Sequence, residues 1–203
     1  RPSLSDTQQE ALVVARQHES RMRQLYTNGD VRGAVAAAES AFNAVKRVVP
    51  KQHPVYASRL DTLASLCSLT KDYKRAEALY IEACHVRQLV IGKDHPGYAQ
   101  SLLSLAMIYF EMNDHKKSEP LMLEAHDIVK RLLGEEDPSY SASLGNLAVL
   151  YNSMDDFKKA EPVLIESLKL KKRVLGDEDP DYAQTMVDVN CRGPLRIAFH
   201  AGT

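Results

Sequence analysis

Seven histidines, three cysteines and 27 carboxylates are the side chains of this 203-residue chain that could act as ligands, bases or nucleophiles. Their spacing argues against each of those uses. His115 and His126 stand beside Glu119 and Asp127 as a ligand cluster would, but eleven residues of helix, about three turns, set the two imidazoles roughly 16 Å apart, too far to share one ion. His53 and His95 each precede a proline, and Asp137 and Asp179 hold the same place further along. The position therefore asks for a helix-start acceptor rather than for an imidazole. Cys67, Cys84 and Cys191 form no C-x-x-C pair. The glycine-rich phosphate loop, the G-x-G-x-x-G dinucleotide turn, the H-E-x-x-H zinc motif and the G-x-S-x-G nucleophile elbow are missing from the sequence. The expectation is a non-enzyme with no catalytic residue, no metal and no cofactor.

The elements that carry these residues repeat. His53-Pro54-Tyr56, His95-Pro96-Tyr98, Asp137-Pro138-Tyr140 and Asp179-Pro180-Tyr182 recur at a constant interval of 42 residues. A fixed period of this size marks a solenoid, in which one helical hairpin stacks on the next because no single unit can bury its own apolar face. The same step aligns Leu60, Leu102, Leu144 and Met186, then Leu63, Leu105, Leu147 and Val189, then Ala64, Ala106 and Ala148. Leu102, Leu105, Ala106 and Tyr109 fall on one stripe of an α-helix, as do Leu144, Leu147, Ala148 and Tyr151. Asp30, Asp72, Asp114 and Asp156 then stand as N-caps for a second helix. That helix has small residues at Ala34, Ala76, Ser118 and Ala160 and again at Ala41, Ala83, Ala125 and Ser167, which permit close helix packing. Gly92, Gly134 and Gly176 supply left-handed helix ends, and proline fits the first position of the next helix. Pro120 and Pro162 fall inside the second helices and predict a kink or a delayed helix start.

Leu63-Ala64, Leu105-Ala106 with Tyr109, and Leu147-Ala148 with Tyr151 resemble the first-helix motif of the tetratricopeptide repeat. Ala76-Glu77, Ser118-Glu119-Pro120 and Ala160-Glu161-Pro162 resemble its second. The long period is similar to that of kinesin light chains and nephrocystin-like proteins. The resemblance implies an all-α, right-handed superhelical solenoid of antiparallel helix pairs, with about four repeats and a partial capping helix. The repeat domain spans 1–190, with units at about 5–48, 54–91, 96–133 and 138–175 and a partial unit at 180–190, and a non-repeat tail occupies 191–203. It also implies that first helices line a concave face. Of the asparagine pair with which kinesin light chains hold a cargo peptide, only Asn146-Leu147-Ala148 reproduces the second half, with Thr62 and Ser104 in its place elsewhere. The Lys and Asn pattern of chaperone-binding members is missing.

Function is therefore sought at first-helix positions that the core does not need. These are Asp61, Thr62, Ser65 and Ser68 in the second unit, Leu103, Ser104, Met107 and Phe110 in the third, and Gly145, Asn146, Val149 and Asn152 in the fourth. Leu103, Met107 and Phe110 share one stripe, suited either to an inserted apolar peptide or helix or to packing within a tight superhelix. The expected site is Leu103, Ser104, Met107, Phe110, Asn146, Val149 and Asn152, serving a scaffold or adaptor for a protein partner with an apolar segment. The alternatives are a subunit joined to a larger assembly or homo-oligomer through its solenoid ends, and a regulatory repeat region of a longer enzyme. Lys74-Arg75, Lys116-Lys117 and Lys158-Lys159 also recur, but each pair is followed by glutamate and the net charge is −1, which favours a solvated face over nucleic acid. No apolar run reaches the roughly 18–20 residues that span a bilayer. Unpaired cysteines suit a reducing compartment, the cytoplasm, or an organelle reached through a targeting peptide since removed. In the tail, Gly193-Pro194 breaks any helix, and Leu195, Ile197 and Phe199 alternate as in a strand.

Overall fold

The computed structural model describes residues 5–175, and among them are eight α-helices and no strand. They are α1 Asp6–Thr27, α2 Val31–Lys46, α3 Pro54–Leu69, α4 Tyr73–Ile91, α5 Pro96–Glu111, α6 His115–Leu133, α7 Pro138–Ser153 and α8 Phe157–Leu175. The expected all-α repeat fold is present. The partial unit at 180–190, the tail, Gly176, Asp179 and Cys191 lie outside the described residues.

Each first helix ends, and each second helix starts, in one fused turn. The backbone N–H of Asp30, Asp72, Asp114 and Asp156 donates to the carbonyl of Leu25, Cys67, Tyr109 and Tyr151 respectively. With the N–H of Lys71 donating to Ser68, Asn113 to Phe110 and Asp155 to Asn152, this is the paired-bond pattern that closes a helix on a left-handed residue. That residue is Gly29, Lys71, Asn113 or Asp155, with φ of 81°, 62°, 59° and 54°. The carboxylates then cap the next helix: Asp30 accepts from the Gly33 N–H, Asp72 from Arg75 and Asp156 from Lys159.

The HP and DP pairs act as helix starts. His53 Nδ1 accepts the Val55 N–H at 3.2 Å, His95 Nδ1 the Gly97 N–H at 2.9 Å, and Asp137 Oδ1 the Ser139 N–H at 2.8 Å. Hydrogen bonds from Ser139 hold the Asp137 carboxyl below its usual range. Gly92 and Gly134 do have positive φ, but at Gly92 ψ is 171°, so that glycine occupies an extended, glycine-only region and not the left-handed helical one. The delayed start expected at Pro120 and Pro162 does not occur, since α6 begins at His115 and α8 at Phe157, ahead of each proline. The bond that Pro120 removes would have ended on the carbonyl of Lys116, an exposed residue in the first turn that water can serve.

Contacts divide the chain into two units, residues 1–114 and 115–203, between Asp114 and His115. In the first unit α1 packs on α2, α2 on α3, α3 on α4 and α4 on α5. In the second, α6 packs on α7 and α7 on α8. The small residues of the second helices are the points of closest packing: Ala34, Ala76 and Ser118 are fully buried, as are Ala41, Ala83 and Ala125 to within a few per cent. Leu60, Leu63 and Ala64 form the same buried set in α3 that Leu144, Leu147 and Ala148 form in α7. Tyr140, Leu144 and Leu170 make a core cluster in the second unit, with Val129 and Val163 packed against it.

The tyrosine of the repeating turn is buried, and its hydroxyl needs an acceptor. Tyr56 donates to Glu82 at 2.9 Å, and Tyr140 donates to Glu166. Burial and the nearby carboxylate push the Tyr56 phenol up to about 12. A lysine completes each group, Lys51 on Glu82 at 2.9 Å and Lys130 near Glu166 at 3.5 Å. A second ladder joins successive hairpins. Tyr109 of α5 donates to Glu77 of α4 at 2.8 Å, and in the other unit burial and the nearby Glu119 carboxylate of α6 raise the Tyr151 phenol of α7. Cys67 takes the place of this tyrosine in α3; it is 1% exposed, and burial raises its thiol.

Candidate functional site

In the first unit, residues of three first helices line a cavity of about 630 Å³. Met22, Arg23 and Tyr26 come from α1, Asp61, Thr62, Ser65, Leu66 and Leu69 from α3, and Gln100, Ser101 and Ser104 from α5. Tyr80 and Arg87 reach in from α4. A volume of this size accommodates a short stretch of peptide or a small ligand.

The polar wall is pre-arranged by one cation. Arg87 pairs with Asp61 and donates to Ser101, linking α4 to α3 and α5. The Arg87 side chain is 18% exposed and that of Asp61 27%, so the pair is substantially withdrawn from water. The combination is peculiar to this part of the chain: the 42-residue step puts Val45, Val129 and Lys171 where Arg87 stands, and Glu19, Leu103 and Gly145 where Asp61 stands, so no other repeat has both a cation and a carboxylate at these places. Burial and the Asp61 carboxylate raise the Tyr80 phenol. Met22, Tyr26, Leu66 and Leu69 give the lining its apolar part, with Leu69 55% exposed.

Of the residues expected to meet a partner, Ser104 lines the cavity. Leu103, Met107 and Phe110 lie half-buried along the same helix, α5, outside the cavity lining. Asn146, Val149 and Asn152 belong to α7 in the second unit, where Val149 is 56% exposed and the two asparagines are half-buried. Neither asparagine side chain has a hydrogen-bond partner among the described residues. Gly145, on the same part of α7, has nothing within 4 Å of where a Cβ would stand. Thr62 and Ser65, counted as inward-facing from the sequence, also line the cavity.

Met22, Tyr26, Tyr80 and Arg87 were not anticipated. For Arg87 a signal exists, since it is the one repeat position with a cation whose Asp61 counterpart is a carboxylate. Met22 and Tyr26 belong to the repeat at about 5–48, where Arg21-Met22 stands in place of the Leu-Ala pair of the later repeats and hides which residues turn inward.

Other residues with chemical potential are accounted for by packing. His126 Nδ1 is 2.8 Å from the Ser143 hydroxyl and its ring stacks on Tyr140, with centroids 5.1 Å apart. Burial is the main cause that lowers its pKa. The second cation of two basic pairs is not simply solvated: Lys159 bonds Glu119 of the preceding second helix at 2.6 Å, and Arg75 pairs with Glu39. Among the described residues no group of three or more His, Cys, Asp or Glu side chains is arranged to hold a metal ion. No described helix is long and apolar enough to cross a membrane.

Buried small residues at fixed steps, fused helix turns and a free first-helix surface define the class of helical-hairpin repeat proteins. Sequence signatures of the tetratricopeptide repeat match residues 63–131 and 98–173, and the chain belongs to that family. Three crystal structures share its fold. BtubC (BKLC) from P. vanneervenii is 22% identical with a TM-score of 0.75, over 89% of this chain and 72% of that one. A putative kinesin light chain with nearly identical TPR-like repeats from Podosopora anserina is 21% identical with a TM-score of 0.77, over 86% and 82%. MamA is 14% identical with a TM-score of 0.57, over 87% and 92%. No curated protein matches the chain in sequence. Tetratricopeptide repeats are in general non-catalytic scaffolds for protein interaction.

Proposed function

We propose that the chain is a non-enzymatic adaptor that takes up a segment of a protein partner on its first-helix surface. In the first unit the segment contacts Ser104 in the cavity and continues along α5 over the half-buried stripe of Leu103, Met107 and Phe110, outside the cavity lining. In the second unit Asn146, Val149 and Asn152 offer a face of their own. The observation that carries this reading is the cavity itself: its first-helix walls are built largely from positions that the repeat leaves free, such as Thr62, Ser65 and Ser104. Its mixed lining, with hydroxyls and Gln100 as well as Met22, Tyr26 and Leu69, suits a peptide main chain with an apolar side chain. On α7, the asparagines supply both donors and acceptors for a main chain, and Gly145 leaves room for it to come close.

The test is to select binders from a displayed library of short peptides and measure their affinity for the chain and for a Met107→Glu, Phe110→Glu double variant. The reading expects capture to be abolished while the helical circular dichroism signal is unchanged. Affinity that survives both charges would show that α5 is not the binding surface.

A further inference from the structure

We draw no further inference here: the strongest candidate, the cavity among α1, α3, α4 and α5 with the Arg87–Asp61 pair in its wall, belongs to the site already described, and because that arginine is already matched by the carboxylate, nothing in the structure shows which chemistry fills it.

Discussion

Single residues carry most of the strain and most of the buried polarity in this chain. Lys71 adopts φ of 62° where the first unit has Gly29, so its side chain occupies a conformation that a β-carbon disfavours. Lys71→Gly is expected to raise stability by roughly 0.5–1 kcal/mol, the relief of that strain less the entropy a glycine adds to the unfolded chain. A urea melt measures it as a higher midpoint at unchanged slope. Tyr56 is fully buried, with its hydroxyl on Glu82. Tyr56→Phe removes a bond to a charged acceptor and should cost about 1–2 kcal/mol. For Glu82, burial alone would raise the carboxyl, but hydrogen bonds from Lys51 and Tyr56 outweigh it and hold the group below its ordinary range. A carboxyl lowered in the folded state contributes stability above its unfolded value, near ~4.3, and that contribution is lost as pH falls through the lower folded value. Urea melts between neutral pH and about pH 3 should therefore show an acid limb that is shallower in Tyr56→Phe.

At the scale of the helix, the repeat was legible because its demands are local. A cap, a left-handed residue and a small residue at a contact point each depend on one side chain, and the same type is required every time. Asp30, Asp72 and Asp156 are for that reason readable as caps from the sequence, and Asp137 in the place of His53 and His95 marks those histidines as helix starts. The tyrosine–glutamate bonds were less legible, because they join different helices and no local rule calls for them. A trace was present all the same: Glu82, Glu124 and Glu166 recur at the interval of Tyr56, Tyr98 and Tyr140. The proline-delayed start failed because α6 tolerates Pro120 within its early turns, where the missing bond costs little. Gly145 interrupts α7 with no packing reason, since an added Cβ would meet nothing within 4 Å. Gly145→Ala is expected to raise the stability of the chain by about 0.5–1 kcal/mol through helix propensity alone. Thermal denaturation with an equal or lower midpoint would show that the glycine serves the fold in some other way.

Across the whole molecule, regularity and irregularity divide the work. The first unit repeats its scaffold through α3, α4 and α5, and it departs from the repeat at Asp61 and Arg87, where the cavity lies. The second unit repeats the same scaffold through α7 and α8 and departs from it at Gly145. The scaffold could be read from the sequence because every copy reports the same constraint. The site was only partly legible: Ser104, Thr62 and Ser65 followed from register, whereas Met22 and Tyr26 lie in α1, where Arg21-Met22 stands in place of the Leu-Ala landmark. The central claim, that a partner segment lies on the first-helix surface, is open to direct observation through the methionine methyl groups. Met22 lines the cavity and Met107 lies half-buried on α5, while Met122 is 2% exposed within the second-helix core of α6. In methyl NMR spectra of the chain titrated with a library-selected peptide, the Met22 and Met107 signals should shift and broaden while Met122 stays in place. Shifts confined to Met112, Met122 or Met154, with Met22 and Met107 unmoved, would contradict the account.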